Sequence, residues 1–223
     1  AMTLLPIYQY LNTQGNEIVY VTLNRPEVRN AFNEGLISEL QDVFTRLGAD
    51  DDCRVIVLQA NGKSFCAGAD LNWMKSMTNF TKAENIADSR KMALMLNKIY
   101  SCPKPVIAKV QGDAYAGGVG LASVCDILIA STQVRFCISE AKLGLLPATI
   151  APYVIRALGE QASRRYFVTA EVFTAAHGKE IGFVHELVDP DALDSKVDEI
   201  CQAILSNGPM AVIACKKIVR DIS

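Results

Sequence analysis

A turn of small residues that joins an apolar strand to a helix is the feature that most constrains this chain, and it occurs twice. The first copy is the run SFCAGADL at 64–71, which follows the predicted strand Val55–Ala60 and precedes a predicted helix at 72–77. The second is AYAGGVGLAS at 114–123, which follows the predicted strand 106–111 and continues into an apolar helix. Strands that alternate with helices in this way predict an α/β fold.

These two turns allow two interpretations. Small residues let a ligand approach the main chain, and the first N–H groups of a helix have no partner within it. Each turn could therefore place one N–H on an oxygen that becomes negative during a reaction. Taken alone, each turn is equally well explained as a tight connection. The sequence around Gly117 and Gly118 lacks the G-x-G-x-x-G spacing and the lysine of phosphate-binding loops, which disfavours nucleotide binding.

Composition excludes several classes of protein. The 223 residues suffice for one large domain or a domain with an appendage, and a net charge of −2 gives no reason to expect nucleic acid or an anionic membrane as partner. Seven cysteines without a C-x-x-C pair indicate buried free thiols in a reducing compartment and disfavour a disulfide framework or a zinc site. His177 and His185 lie in no triad pattern and are predicted to be structural. Without a membrane-spanning run or a signal pattern, we expect a cytoplasmic protein.

The remaining elements complete the predicted order. Strands are predicted, the first two as a β-hairpin, at 7–11, Ile18–Leu23, 125–130, 134–138 and 183–188. Helices are predicted at about 30–48, Lys82–Tyr100, 194–205 and Pro209–Ile222. The apolar stripes of the two closing helices predict contacts with another subunit. Because the last stripe reaches Ser223 without a cap, we expect further residues beyond it.

Several residues have both a chemical and a structural interpretation. Glu140 follows a predicted buried strand and precedes leucines, and an acid in apolar surroundings is suited to exchange protons near neutral pH. A glutamate at that place can also simply begin a helix. Asp70 can stabilise a helix dipole or take part in a reaction. Arg25 and Arg29 suit phosphate binding or a solvated turn, and Trp73 suits an acyl tunnel or the core.

Four motifs occur together and in order, namely LNRPEVRNAFN at 23–33, FCAGADL at 65–71, QGDAYAGGVGLASVCDILIA at 111–130 and FCISEAKLGLLP at 136–147. They resemble the crotonase, or enoyl-CoA hydratase/isomerase, superfamily, and the likeness extends from about Tyr8 to the end of the chain. The resemblance implies a spiral of ββα units over 1–190 and a C-terminal helical region at 191–223 that assembles trimers or dimers of trimers. It also implies an acyl-CoA thioester as ligand, with no further cofactor and no metal.

Roles for individual residues follow from the same resemblance. The thioester oxygen is expected to accept hydrogen bonds from the main-chain N–H groups of Ala67 and Gly117, and Glu140 is expected to be the acid–base residue. The other predicted substrate contacts are Glu27, Arg29, Gly68, Ala69, Asp70, Leu71, Ala114, Gly120 and Ser139.

One position departs from the best-known hydratases of this superfamily, which use two glutamates around one water. Glu140 matches the second glutamate, but Gly120 stands at the position of the first. An isomerase of the Δ3,Δ2-enoyl-CoA type needs only the glutamate that matches Glu140. The fuller pattern, which includes GADLNWM and RRYFVTAE, is similar to bacterial methylglutaconyl-CoA hydratases, and these share the glycine.

Three functions therefore remain open. The first is hydration of a branched, acidic 2-enoyl-CoA, in which the substrate's own distal carboxylate, or a second water in the space beside Gly120, stands in for the missing glutamate. The second is double-bond isomerisation. The third is a non-catalytic acyl-CoA-binding or RNA-associated protein, and the near-neutral charge disfavours RNA as its main ligand.

Overall fold

Two sheets organise the described part of the chain, which in this computed structural model comprises residues 11–77, 79 and 81–223. The strands of the larger sheet, in spatial order, are β1 (Leu11–Gln14), β2 (Ile18–Leu23), β3 (Val55–Ala60), β5 (Val106–Val110), β7 (Ile127–Ser131) and β10 (Glu186–Val188). All neighbours pair in parallel except β1 and β2, which form an antiparallel hairpin. The part of the predicted first strand at 7–10 lies outside the described residues.

In a smaller sheet, as in the larger one, the strands lie side by side in the order in which they occur along the chain. Its strands are β4 (Ser64–Cys66), β6 (Asp113–Tyr115), β8 (Arg135–Cys137) and β9 (Val172–Thr174). Three times the chain leaves the larger sheet, adds one strand to the smaller sheet and enters a helix or helical turn, since β3 leads into β4, β5 into β6 and β7 into β8. This repeat is the ββα spiral that the resemblance implied, and the predicted α/β class is confirmed.

Helices cover both sheets. They are α1 (Glu34–Ala49), α2 (Leu71–Met77), α3 (Lys82–Tyr100), α4 (Gly117–Ser123), α5 (Ala151–Leu158), α6 (Glu160–Thr169), α7 (Ala175–Glu180), α8 (Leu193–Leu205) and α9 (Pro209–Ile222). Helix α3 has its predicted bounds, because the side chains of Thr81 and Glu84 cap each other's backbone at its start and Pro103 follows its end. Among the residues that the structure describes, none of these helices is long and apolar enough to cross a membrane.

The first long helix begins later than the sequence predicted. It starts at Glu34 rather than near residue 30, because Arg29 and Asn30 adopt left-handed conformations with φ of 55° and 56°. The buried side chain of Asn30 donates to the carbonyls of Asn61 (2.9 Å) and Ser64 (3.0 Å). These bonds tie the segment before α1 to the turn between β3 and β4.

The larger sheet is buried on both faces. On one face its strands join the main apolar core with α1 and α3, and on the other they form a second cluster with Leu193, Val197 and Cys201 of α8. Strands covered on both faces are typical of parallel sheets. All seven cysteines are free, and six are buried as predicted, but the prediction is wrong for Cys215, which is exposed on α9. The predicted division into 1–190 and 191–223 remains a prediction.

Candidate active site

The first small-residue turn is held in place by the segment before α1. The N–H of Phe32 donates to the carbonyl of Gly68 (2.7 Å), and the N–H of Asp70 donates to the carbonyl of Phe32 (2.8 Å). These two bonds form a parallel bridge between Phe32 and Ala69. In such a bridge one residue, here Phe32, makes both hydrogen bonds to the neighbours of its partner, here Gly68 and Asp70. The N–H of Ala69 itself makes neither bond and points away from Phe32.

The predicted role of the Ala67 N–H is wrong. That N–H donates to the carbonyl of Arg29 at 3.0 Å, so it holds the turn and is not available to a ligand oxygen. In the part of the chain that the structure describes, the N–H of Ala69 has no hydrogen-bond partner. Ala69 therefore replaces Ala67 as the donor that the first turn offers.

The second small-residue turn supplies another donor. Gly117 is the first residue of α4, where an N–H has no acceptor in its own helix, and no other described residue accepts a hydrogen bond from it. The two turns touch, because a Cβ placed on Gly68 would lie 3.0 Å from the Cβ of Ala116 and 3.5 Å from the nitrogen of Gly117. Gly68 also has a φ of +93°, which favours glycine. Two unpaired main-chain N–H groups, those of Ala69 and Gly117, thus lie on touching turns.

Asp70 anchors the first turn. Its Oδ1 accepts from the N–H groups of Asn72 (2.8 Å) and Trp73 (3.2 Å), which caps α2, and its Oδ2 accepts from Arg25 Nη2 (3.0 Å). Burial alone would raise the pKa of Asp70, but these N–H groups and the guanidinium of Arg25 together lower the pKa below its ordinary value. This geometry supports the structural interpretation of Asp70.

An open groove of about 570 Å³ runs along the outside of the first turn. Its lining contains six of the predicted substrate contacts, namely Glu27, Arg29, Ala67, Ala69, Asp70 and Leu71. Glu27 and Arg29 are exposed at its rim, where the left-handed turn of Arg29 places them before the segment that holds the turn. The groove is larger than the inner cavity of about 300 Å³ described next, so it can hold a part of a ligand that the inner cavity cannot.

An inner cavity of about 300 Å³ shares Ala67, Ala69 and Leu71 with the open groove. Gly117 and Ser139 line it on the side of the second turn. The larger apolar residues in its wall include Phe32, Trp73, Met92, Leu143, Leu145 and Ile150. A polar ligand head in the groove and an apolar tail in the inner cavity would thus meet at the two unpaired N–H groups.

Glu140 places its carboxylate in the lining of the inner cavity. It begins a short helical turn after β8 and lines the cavity, and its Oε1 is buried without a hydrogen-bond partner among the described residues. Burial raises the pKa of Glu140 above its ordinary value, and its own backbone N–H offsets part of that rise. Such a carboxylate can take up and release a proton nearer to neutral pH than an exposed one.

Comparison with known proteins agrees with this geometry. The sequence profile of the enoyl-CoA hydratase/isomerase family matches residues 13–222. The chain belongs to this family. A short-chain-enoyl-CoA hydratase from Clostridium acetobutylicum is 34% identical over 209 residues, which are 91% of this chain and 77% of the relative.

Solved structures show the same relationship. A protein from Legionella pneumophila, described as an enoyl-CoA hydratase/isomerase or crotonase, superposes with a TM-score of 0.92 at 44% identity over 96% of this chain and 83% of the other. An enoyl-CoA hydratase from Shewanella pealeana gives a TM-score of 0.92 at 39% identity over 96% of this chain and 80% of the other. The crotonase fold predicted from the motifs is therefore confirmed.

Within this enoyl-CoA hydratase/isomerase chain, three predicted contacts do not line the groove or the inner cavity. Ala114 is fully buried in β6, Gly68 is buried between the two turns, and Gly120 is buried in α4. The space expected beside Gly120 is also absent, because a Cβ there would lie 2.4 Å from Cγ2 and 2.8 Å from Cβ of Ile150. The expectation of a second water in that space is wrong.

Ile150 and Met92 are among the residues of the cavity wall that sequence reasoning missed. Ile150 is 30 positions from Gly120 in the chain, and no local pattern links the two. Met92 belongs to the apolar stripe of α3, and such a stripe does not reveal which of its members border a cavity. Trp73, for which a tunnel and the core were both open, lines the cavity and also packs against the core.

Neither histidine of the chain lines the groove or the inner cavity. Nδ1 of His185 accepts the N–H of Leu128 at 3.0 Å, and burial, with a smaller effect of Lys179, lowers the pKa of that imidazole. His177 lies beside Glu180 on the surface of α7. In the described ranges, no three His, Cys, Asp or Glu residues are grouped so that they could hold a metal ion.

Proposed function

We propose that this family member hydrates a 2-enoyl-CoA thioester. One observation carries the proposal, which is that the buried carboxylate of Glu140 shares an apolar cavity with the unpaired N–H groups of Ala69 and Gly117. Two preorganised donors stabilise an oxygen that becomes negative, and each such donor contributes about 3–4 kcal/mol to the transition state. A basic carboxylate beside them can activate water.

The reaction follows from these three groups. The thioester oxygen accepts hydrogen bonds from the N–H groups of Ala69 and Gly117. These bonds draw electron density from the double bond and make C3 electrophilic. Glu140 accepts a proton from a water molecule while the water oxygen bonds to C3, and the negative charge moves to the thioester oxygen. Glu140 then gives its proton to C2, the carbonyl re-forms, and the carboxylate is ready for the next cycle.

The finer proposal is that the substrate is branched and carries its own distal carboxylate. Ile150 fills the space beside Gly120, and Glu140 is the only carboxylate in the described lining of the inner cavity. We infer that a carboxylate of the substrate assists Glu140 at the water, because the described lining of the cavity offers no second carboxylate. The likeness to methylglutaconyl-CoA hydratases supports an acyl group of the 3-methylglutaconyl type.

Double-bond isomerisation is the second candidate, and the single carboxylate favours it too. Moving a proton from C2 to C4 of one substrate needs only one base, which Glu140 supplies. A third possibility, acyl-CoA binding without chemistry, gives no turnover in either direction. The absorbance of the conjugated thioester separates the three, because hydration of a 2-enoyl-CoA removes it and isomerisation of a 3-enoyl-CoA creates it.

Glu140→Gln tests the role of the carboxylate. We expect the variant to bind thioesters as the wild type does and to lose at least about 100-fold in kcat, because the amide cannot accept a proton at neutral pH. In the wild type, kcat/KM should fall as the pH falls through the pKa of Glu140, because the protonated acid cannot act as a base. This fall should occur at a higher pH than for an ordinary glutamate, whose pKa is about 4.3. Undiminished turnover by the variant would show that Glu140 is not the base.

Three substrates test the finer proposal. 3-Methylglutaconyl-CoA is branched and acidic, 3-methylcrotonyl-CoA is branched without the carboxylate, and crotonyl-CoA has neither feature. We expect the first to be hydrated at least about 100-fold faster than the second, since a positioned acid–base group contributes that much. Equal rates for these two would remove the substrate carboxylate from the mechanism and leave hydration by Glu140 alone.

A further inference from the structure

Ile150 lies between helix α4 and the inner cavity. Its side chain lines the cavity together with Glu140 and is only 3% exposed. Its main chain is fixed at the start of α5, where the N–H groups of Tyr153 (3.1 Å) and Val154 (3.0 Å) donate to its carbonyl. The Cα and Cβ atoms of Ile150 therefore cannot move aside without moving the start of α5.

The other side of Ile150 rests directly on Gly120. A Cβ at position 120 would overlap both Cγ2 and Cβ of Ile150, at 2.4 Å and 2.8 Å. Cγ2 could rotate away, but Cβ is fixed to the main chain. Any side chain at position 120 would therefore push Ile150 away from α4, which is toward the cavity. A glycine inside a helix costs about 1 kcal/mol relative to alanine, so helix stability alone would favour a larger residue at position 120. The contact with Ile150 explains why this position nevertheless has no side chain.

We propose that the contact between Gly120 and Ile150 sets the width of the inner cavity beside Glu140, and so determines how well acyl groups with a substituent at C3 bind relative to straight ones. The inference rests on the proposed function, because it requires that the inner cavity holds the acyl group of a CoA thioester. A smaller residue at 150 widens the cavity where the reacting carbons lie. A larger residue at 120 narrows it at the same place.

Binding of two saturated thioesters tests this without any chemistry. Butyryl-CoA is straight, isovaleryl-CoA carries a methyl group at C3, and neither has a double bond to hydrate. Isothermal titration calorimetry gives the ratio of their Kd values for the wild type, Ile150→Ala, Gly120→Ala and the double variant. Ile155→Ala is the matched control, since it is the same substitution on α5 but lines a different surface groove.

We expect Ile150→Ala to shift the ratio about tenfold toward isovaleryl-CoA and Gly120→Ala to shift it about tenfold toward butyryl-CoA, the effect of one methyl group in an apolar pocket. The double variant should lie near the wild type, because the Cβ at 120 then occupies the space that Ile150 leaves. Ile155→Ala should leave the ratio unchanged.

Two results would overturn the inference, and they differ in what else they overturn. A wild type that binds both thioesters, with a ratio that Ile150→Ala leaves unchanged, removes the role of Ile150 and leaves the proposed function intact. A wild type that binds neither thioester removes the proposed function as well. Because Ile150→Ala alone decides the first result, poor folding of Gly120→Ala does not affect the outcome.

Discussion

The direction of one N–H group decides which residue of the first turn can hold a ligand oxygen. In a regular strand, the N–H groups of residues two apart point to the same side. Here the N–H of Ala67 donates to Arg29, the N–H of Ala69 has no partner among the described residues, and Gly68 between them has a φ of +93°, which a regular strand does not adopt. The sequence shows that Gly68 can adopt this conformation, but it does not show that it does. Ala67 was therefore the wrong choice for a reason that the motif alone does not contain.

Amide resonances test this assignment without a substitution. In protein labelled with ¹⁵N-alanine and ¹⁵N-glycine, we expect saturating butyryl-CoA to move the Ala69 and Gly117 amide protons downfield, since each gains a hydrogen bond to the thioester oxygen. The Ala67 amide, which already donates to Arg29, should move little and serves as the internal control. A large shift at Ala67 with none at Ala69 would restore the original prediction.

At the scale of elements, strong local signals predicted the structure well. Helix α3 was predicted at its observed bounds, and β3 likewise, because caps, proline and apolar runs lie at their ends. Strands β4 and β9 have three residues each, which is too short for an alternating pattern to be visible. They exist because the smaller sheet supplies partners from distant parts of the chain, and a single sequence does not show those partners.

Helix α1 contains a buried acid that makes stability depend on pH. Glu39 lies on the apolar face of α1, and its Oε2 has no hydrogen-bond partner among the described residues. Burial, with Asp42 as a smaller cause, raises the pKa of Glu39 to about 8, although the backbone of Leu11 offsets part of the rise. An unfolded glutamate has a pKa of about 4.3. Between these values the folded state binds more protons, so stability decreases as the pH rises.

Glu39→Gln should remove this dependence. At pH 8.5 we expect the melting temperature of the variant to exceed that of the wild type by about 2 °C or more, because no buried charge has to form. Near pH 4.5 the two proteins should be alike. Asp42→Asn is the control, since it leaves Glu39 buried and should change the wild-type pH profile only slightly. Identical pH profiles for the wild type and Glu39→Gln would show that Glu39 does not titrate in this range.

At the scale of the whole molecule, the sequence predicted the fold and the pairing of the two turns, but not the shape of the cavity. The motifs that carry the turns are local, and each lies next to a strand that the apolar pattern reveals. The cavity wall combines α2, α3 and the segment before α5, and its width depends on how Ile150 packs on Gly120. Packing between segments 30 residues apart requires coordinates, which is why the sequence alone does not predict the width of the cavity.

The surface of α9 supports a prediction about assembly. Ile218, Val219 and Ile222 lie within about one turn of this helix and are each at least 55% exposed, and an apolar group of this kind favours a contact between subunits. We expect the chain to form trimers, as its resemblance to crotonases implies, and Val219→Lys with Ile222→Lys to yield monomers in sedimentation velocity. Leu94→Lys removes an exposed apolar side chain from α3 instead and should leave trimers intact. If the wild type and the α9 variant both sediment as trimers, this helix does not form the subunit contact. A monomeric wild type would contradict the expected trimer itself.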